Sequence, residues 1–160
     1  MRKKHKEEDK IFRNKEIESL KIISFLKALD VNLNFDVAFK ISCDAFNRYM
    51  INYHENALNR TQKGTQERFD EFRKLYKDYS KKSPYVKIIE STPQKLKVKY
   101  LRCPFHEVLT KHALEKFTYS FCLSDPVFTN DVLPNVKFSR DHVIAKGDDF
   151  CDHTWEFDMV

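Results

Sequence analysis

Glycine is nearly missing from this chain: there are two in 160 residues, Gly64 and Gly147. A phosphate cradle needs several glycines to bring backbone N–H groups against the anion, so Walker A and dinucleotide-binding fingerprints are excluded. Long apolar runs are missing as well, and none approaches the ~18–20 residues that span a bilayer. The basic start, Met1 to Lys6, has no apolar stretch behind it of the kind that marks a secretory signal. The four cysteines, Cys43, Cys103, Cys122 and Cys151, include no Cys-x-x-Cys pair. In a chain of cytoplasmic character they are expected as reduced thiols. No Ser-His-Asp signature, His-Glu-x-x-His zinc motif or paired-carboxylate glycosidase motif is present.

What is present describes one compact domain that needs no staples to bury a core. Charged residues make up 33% and apolar residues 41%, a balance of neither a disordered tail nor a membrane protein. Aromatics reach 14%, with 14 Phe and 7 Tyr, which points to a Phe-rich core. The net charge, 29 − 24 = +5, is modest, and its lysine clusters are interleaved with Glu7, Glu8, Asp9, Asp70 and Glu71. A face built for nucleic acid or an anionic membrane is more one-signed, so neither partner is expected.

Hydrophobic periodicity divides the chain into a helical part, residues 1–82, and an α+β part, residues 83–160. Apolar residues from Ile11 to Leu29 recur every three or four positions and predict an amphipathic helix. A second helix is expected from Phe35 to about Leu58, with Phe35, Phe39, Phe46, Tyr49, Met50 and Tyr53 on its buried stripe. A third, ending near Tyr79, carries Phe69, Phe72 and Tyr76. Tyr85–Glu90 and Leu96–Leu101 then read as a hairpin around Thr92-Pro93, with Lys95, Lys97 and Lys99 on its outer face. Pro104 opens a helix expected to reach Phe117. A short helix over Thr118–Asp125 follows, then a loop or irregular helix from Pro126 to Pro134. Val136–Lys146 and Phe150–Phe157 are the last two strands, joined through Gly147-Asp148-Asp149. The expected fold is α+β: N-terminal helices packed on a small antiparallel sheet of about four strands, with one or two inserted helices.

Reactive side chains crowd into the last third. Cys103 falls at a helix N-cap, where the helix dipole lowers a thiol's pKa and favours a thiolate nucleophile. Glu107, one turn on, is a candidate general acid or base. Cys122 and Asp125 stand three apart on one predicted helix face. Strand alternation sends Cys151 and His153 to one face and Asp152 to the other. Acidic neighbours raise the Cys151 thiol and rank it below Cys103 as a nucleophile. Arg140, sharing a strand face with Phe138 and His142, is a candidate bidentate clamp for a carboxylate. Zinc held by Cys103, Cys122 and Cys151 is the other reading of the thiols.

In order, these motifs read Arg-Cys-Pro-x-x-Glu, Cys-x-x-Asp, Ser-Arg-x-His and Gly-Asp-Asp-Phe-Cys-Asp-His. As a set they resemble the L-2-amino-thiazoline-4-carboxylic acid hydrolase family over roughly residues 85–157. The resemblance implies a hydrolase opening a cyclic amidine-type C–N or C–S ring of a small molecule. It places signature polar residues on Cys103, Glu107, Cys122, Asp125, Arg140, Gly147, Cys151 and Asp152. On the expectation so formed, Cys103, Glu107, Cys122, Asp125, Cys151 and Asp152 serve catalysis, Arg140 and His142 bind substrate, and no cofactor is required. The competing reading is a non-catalytic small-molecule sensor of the vinyl-reductase-like type, with the cysteines on a structural zinc. A homo-oligomer is compatible with either.

Overall fold

The structure, a computed structural model, describes the backbone of residues 2–158 and side chains from residue 14 onward, apart from residues 15, 16, 18, 159 and 160. Helices α1 (Arg2–Asn32), α2 (Phe35–Ala57) and α3 (Gln66–Lys82) come first. Strands β1 (Val86–Ser91) and β2 (Lys95–Tyr100) form the hairpin, followed by α4 (Pro104–Lys111), α5 (Thr118–Cys122) and α6 (Ser124–Val132). Strands β3 (Val136–Ser139) and β4 (Cys151–Phe157) complete one antiparallel sheet in the order β1-β2-β4-β3. The α+β class is as expected.

Local chemistry sets the boundaries. The Asn34 side chain accepts from Val37 N at 3.0 Å and caps α2, and Thr65 caps α3 through Arg68 N. Helix α4 stops at Lys111 and does not reach Phe117. Ala113 turns left-handed at φ 57°, Leu114 N donates to Leu109 O at 2.8 Å, and Ala113 N donates to Thr110 O at 3.1 Å. This pair of bonds closes the helix in a Schellman turn, with alanine where glycine is usual. Of two further segments, one takes an expected form and the other does not. Of the loop or irregular helix expected at 126–134, the structure has mostly helix, since Pro126 sits in the first turn of α6, where a missing N–H costs nothing. The expected strand 136–146 ends at Ser139. Beyond it Asp148 accepts Val143 N, and Asp152 accepts Asp141 N and His142 N, giving the backbone partners outside the ladder.

The main core lies between the inner sheet face, α3, α6 and the end of α2, with Phe69, Phe72, Leu96, Val98, Phe128 and Trp155 fully buried. Trp155 Nε1 donates to Thr129 Oγ1 at 3.0 Å, so its one polar atom is satisfied. A second cluster, with Leu26, Ala38, Leu109, Leu114 and Phe117, joins α1, α2 and α4. Lys95, Lys97 and Lys99 alternate with buried Leu96 and Val98, as expected. The α2 stripe holds only in part, because Phe46 is buried but Phe35, Tyr49 and Tyr53 are exposed.

Arg68 is 2% exposed and links three segments. Its Nε donates to Val132 O, and Nη1 donates to Leu58 O and Thr61 O, each at 2.8 Å, while Nη2 meets Glu55 Oε2 at 2.7 Å. Arg68→Leu would strand these carbonyls, and a loss of about 3 kcal/mol or more is expected in urea unfolding. Conversely, Ala113→Gly relieves the left-handed strain and should raise stability by about 0.5–1 kcal/mol in the same assay.

Candidate active site

The step from α5 to α6 and the end of β3 bring three expected site residues together. Cys122 ends α5 and Asp125 stands in the first turn of α6. Arg140 follows the last residue of β3 and turns inward. Its Nη1 donates to Asp125 Oδ2 at 2.8 Å and its Nη2 to Cys122 O at 3.2 Å, with the side chain 8% exposed. From β4, alternation points Cys151, His153 and Trp155 inward and Asp152 outward, as the sequence indicates. His153 Nε2 lies 3.8 Å from Asp125 Oδ2. Its ring is walled by Tyr100, Phe138 and Trp155 at centroid distances of 4.8, 5.4 and 5.5 Å. His153 Nδ1 is buried and makes no hydrogen bond.

Burial dominates the electrostatics. It pushes the Asp125 carboxyl up to about 7 even though Arg140, by charge and hydrogen bond, pulls it down. Burial and the Arg140 charge together push His153 down to about 3, so its ring is neutral at physiological pH. The Cys122 thiol is raised by burial, then by the neighbouring Cys103 and Asp125 charges. Tyr76 and Tyr100, whose hydroxyls bond to one another, are also raised by burial and feel the Asp125 charge.

The other expected residues occupy the surroundings. Cys103 is the N-cap of α4, its sulfur accepting from His106 N at 3.4 Å. A lowered pKa is nevertheless not what this position produces. Burial lifts the thiol to about 11 and outweighs the His106 N–H. Cys151 is likewise raised, first by burial, while Ile144 N donates to its sulfur at 3.2 Å. Glu107 is held in a two-bond pair by Arg102, at 2.9 and 2.6 Å. Burial would raise Asp152, but bonds from His142 and Asp141 hold its carboxylate below the usual range. His142 is half-exposed, with Nδ1 3.4 Å from Asp152. Arg140 lies beyond the end of β3 and so does not share a strand face with His142.

Among the described residues no three His, Cys, Asp or Glu side chains converge closely enough to hold a metal ion. The zinc reading of Cys103, Cys122 and Cys151 therefore has no donor geometry beneath it. No helix among the described residues is long and apolar enough to cross a membrane. An open depression of about 560 Å³ at the α2–α3 connection is lined by Leu58, Arg60, Glu67 and Glu71, among others, and by none of the cluster.

The sequence model of the L-2-amino-thiazoline-4-carboxylic acid hydrolases matches residues 14–155. The chain belongs to that family. No curated protein matches it at a significant level. In this hydrolase-family chain the match spans both the N-terminal helices and every cluster residue. Three residues of the cluster had no assigned role in the sequence reading. His153 was legible from strand alternation alone, whereas Tyr76 read as part of the α3 stripe and Tyr100 drew no reading.

Asp125 and His153 carry opposite linkages to folding. Asp125 is raised, so its contribution is full below its unfolded pKa near 3.8 and is lost as pH rises through about 7. His153 is lowered from 6.5 to about 3, so its contribution is present above 6.5 and lost as pH falls through about 3. Between about pH 4 and 6.5 the two slopes cancel, each being one proton, or about 1.4 kcal/mol per pH unit. Asp125→Asn should unmask the histidine, giving stability that rises with pH across this window in denaturant titrations.

Proposed function

We propose that the chain hydrolyses a ring C–N or C–S bond of a small cyclic amidine that bears a carboxylate, of the 2-amino-thiazoline-4-carboxylate class. Membership of the family supports the reaction class. The observation that carries the assignment of roles is the buried Asp125 carboxyl, titrating about 7 between a guanidinium and a neutral imidazole. A proton-transfer group works best when its pKa matches the operating pH.

In this reading Asp125, as carboxylate, takes a proton from water as the water oxygen bonds to the amidine carbon. It returns that proton to the departing ring nitrogen or sulfur as the ring bond breaks. His153, neutral and with Nε2 3.8 Å from Asp125 Oδ2, accepts a hydrogen bond from the same water and fixes its position. Arg140 orients Asp125 and limits how far burial raises it. A thiolate route through Cys103 is disfavoured, because a thiol near 11 is ionised in roughly one molecule in ten thousand at pH 7. His142, half-exposed beside Asp152, remains to meet the substrate carboxylate.

The test is turnover of 2-amino-thiazoline-4-carboxylate by purified variants. Asp125→Asn is expected to lower kcat by about 100-fold or more, and Cys103→Ala by less than about 10-fold. The kcat/KM of the native chain should rise with pH and level off above about 7. Activity that survives Asp125→Asn and vanishes in Cys103→Ala would overturn this assignment in favour of thiol chemistry.

A further inference from the structure

The side of α2 that faces away from the core is not a mixed polar surface. Val37, Ile41, Ala45, Tyr49 and Tyr53, each four residues from the last, are all exposed, Tyr49 by 59% and Tyr53 by 55%. Residues at this spacing form one continuous ridge along a helix. Beside it runs a second exposed row, Asp36, Lys40, Asp44 and Arg48, whose charges alternate in sign. Lys40 and Asp44 pair within the helix at 3.2 Å while remaining 78% and 57% exposed. The adjoining rows, with Ala38, Ser42, Phe46 and His54, are the buried ones.

We propose that this ridge is a dimer interface, in which α2 packs against α2 of a second copy running antiparallel. The occupant follows from the charge row. Reversed end to end, Asp36-Lys40-Asp44-Arg48 is its own complement: Asp36 meets Arg48, and Lys40 meets Asp44. A two-fold pairing requires that self-complementarity. In that register the two-fold axis passes level with Ser42, between Ile41 and Ala45 of the ridge, so the small Ala45 side chain leaves room for Ile41 of the second copy. Val37 of one copy then lies nearest Tyr49 of the other. An anionic membrane gains nothing from the charged row, since its two acidic and two basic side chains sum to zero. One helix face is small beside the ~800 Å² per partner of a standard interface, so the dimer is reversible and concentration-dependent.

Sedimentation of the full chain from about 1 to 500 μM tests this, because such an interface dissociates in the micromolar range. The native chain should pass from monomer to dimer, and Ala45→Glu should weaken dimerisation at least tenfold without altering the circular dichroism. Lys40→Asp and Asp44→Lys should each weaken it alone, since each sets like charges against each other across the two-fold axis. Mixed in equal amounts the two variants should re-form a heterodimer, because the two acidic groups of one copy then face the two basic groups of the other. A native chain that stays monomeric overturns the proposal, as does a dimer indifferent to Ala45→Glu. A mixture no tighter than its components overturns the antiparallel register. Ridge-dependent binding to phosphatidylglycerol vesicles without dimerisation would assign the face to a membrane instead.

Discussion

Two buried guanidinium groups hold the nine-residue helix α6 from opposite ends. Arg68 takes the carbonyl of Val132 at its C-terminus, and Arg140 takes the Asp125 carboxylate in its first turn. Trp155 fixes the middle through Thr129. A helix this short is not stable by itself in water, so its position is set by these three side chains together with the core packing of Phe128 and Val132. Arg68 also closes the end of α2 and the connection to α3. The site therefore depends on a contact at the far end of α6, which places Asp125 before any chemistry is considered.

Burial then determines what the reactive groups can do. A helix N-terminus favours a thiolate at Cys103, but the loss of water around the sulfur opposes it and wins. The same loss of water at Asp125 has a useful sign. It lifts an ordinary carboxyl into the range where protons can be both taken and returned at neutral pH. Arg140 limits that rise, and His153 stays neutral beside it. One physical effect thus disfavours the thiols and favours the carboxyl.

Much of this was legible in the sequence. The period-2 pattern around Lys95, Lys97 and Lys99 located β2 and its outer face, and Pro104 marked the start of α4. The order of the Cys, Asp and Arg motifs pointed to the family over residues 85–157. Which of loop or helix residues 126–134 take was not legible, because Phe128 answers to His54 and Phe72, partners distant in the chain. Nor was the end of β3 at Ser139, since side-chain carboxylates rather than a turn residue supply the alternative hydrogen bonds. The inward course of Arg140 follows from that ending. The exposed ridge of α2 has the same 3.6 periodicity as a buried one, and periodicity alone does not say which side is wet.

The early end of β3 has a consequence for the chain in a crowded solution. Strands β1 and β3 are the sheet's two edges. Free edges recruit foreign strands when they are long, flat and regular. Here one edge is four residues long, because the chain leaves it to carry Arg140 inward. The other is broken by a bulge that sets Ile89 out of register between Ile88 and Glu90. The irregularity that delivers the site's cation also leaves little template for runaway strand addition, so the same departure from ideal sheet geometry works against aggregation.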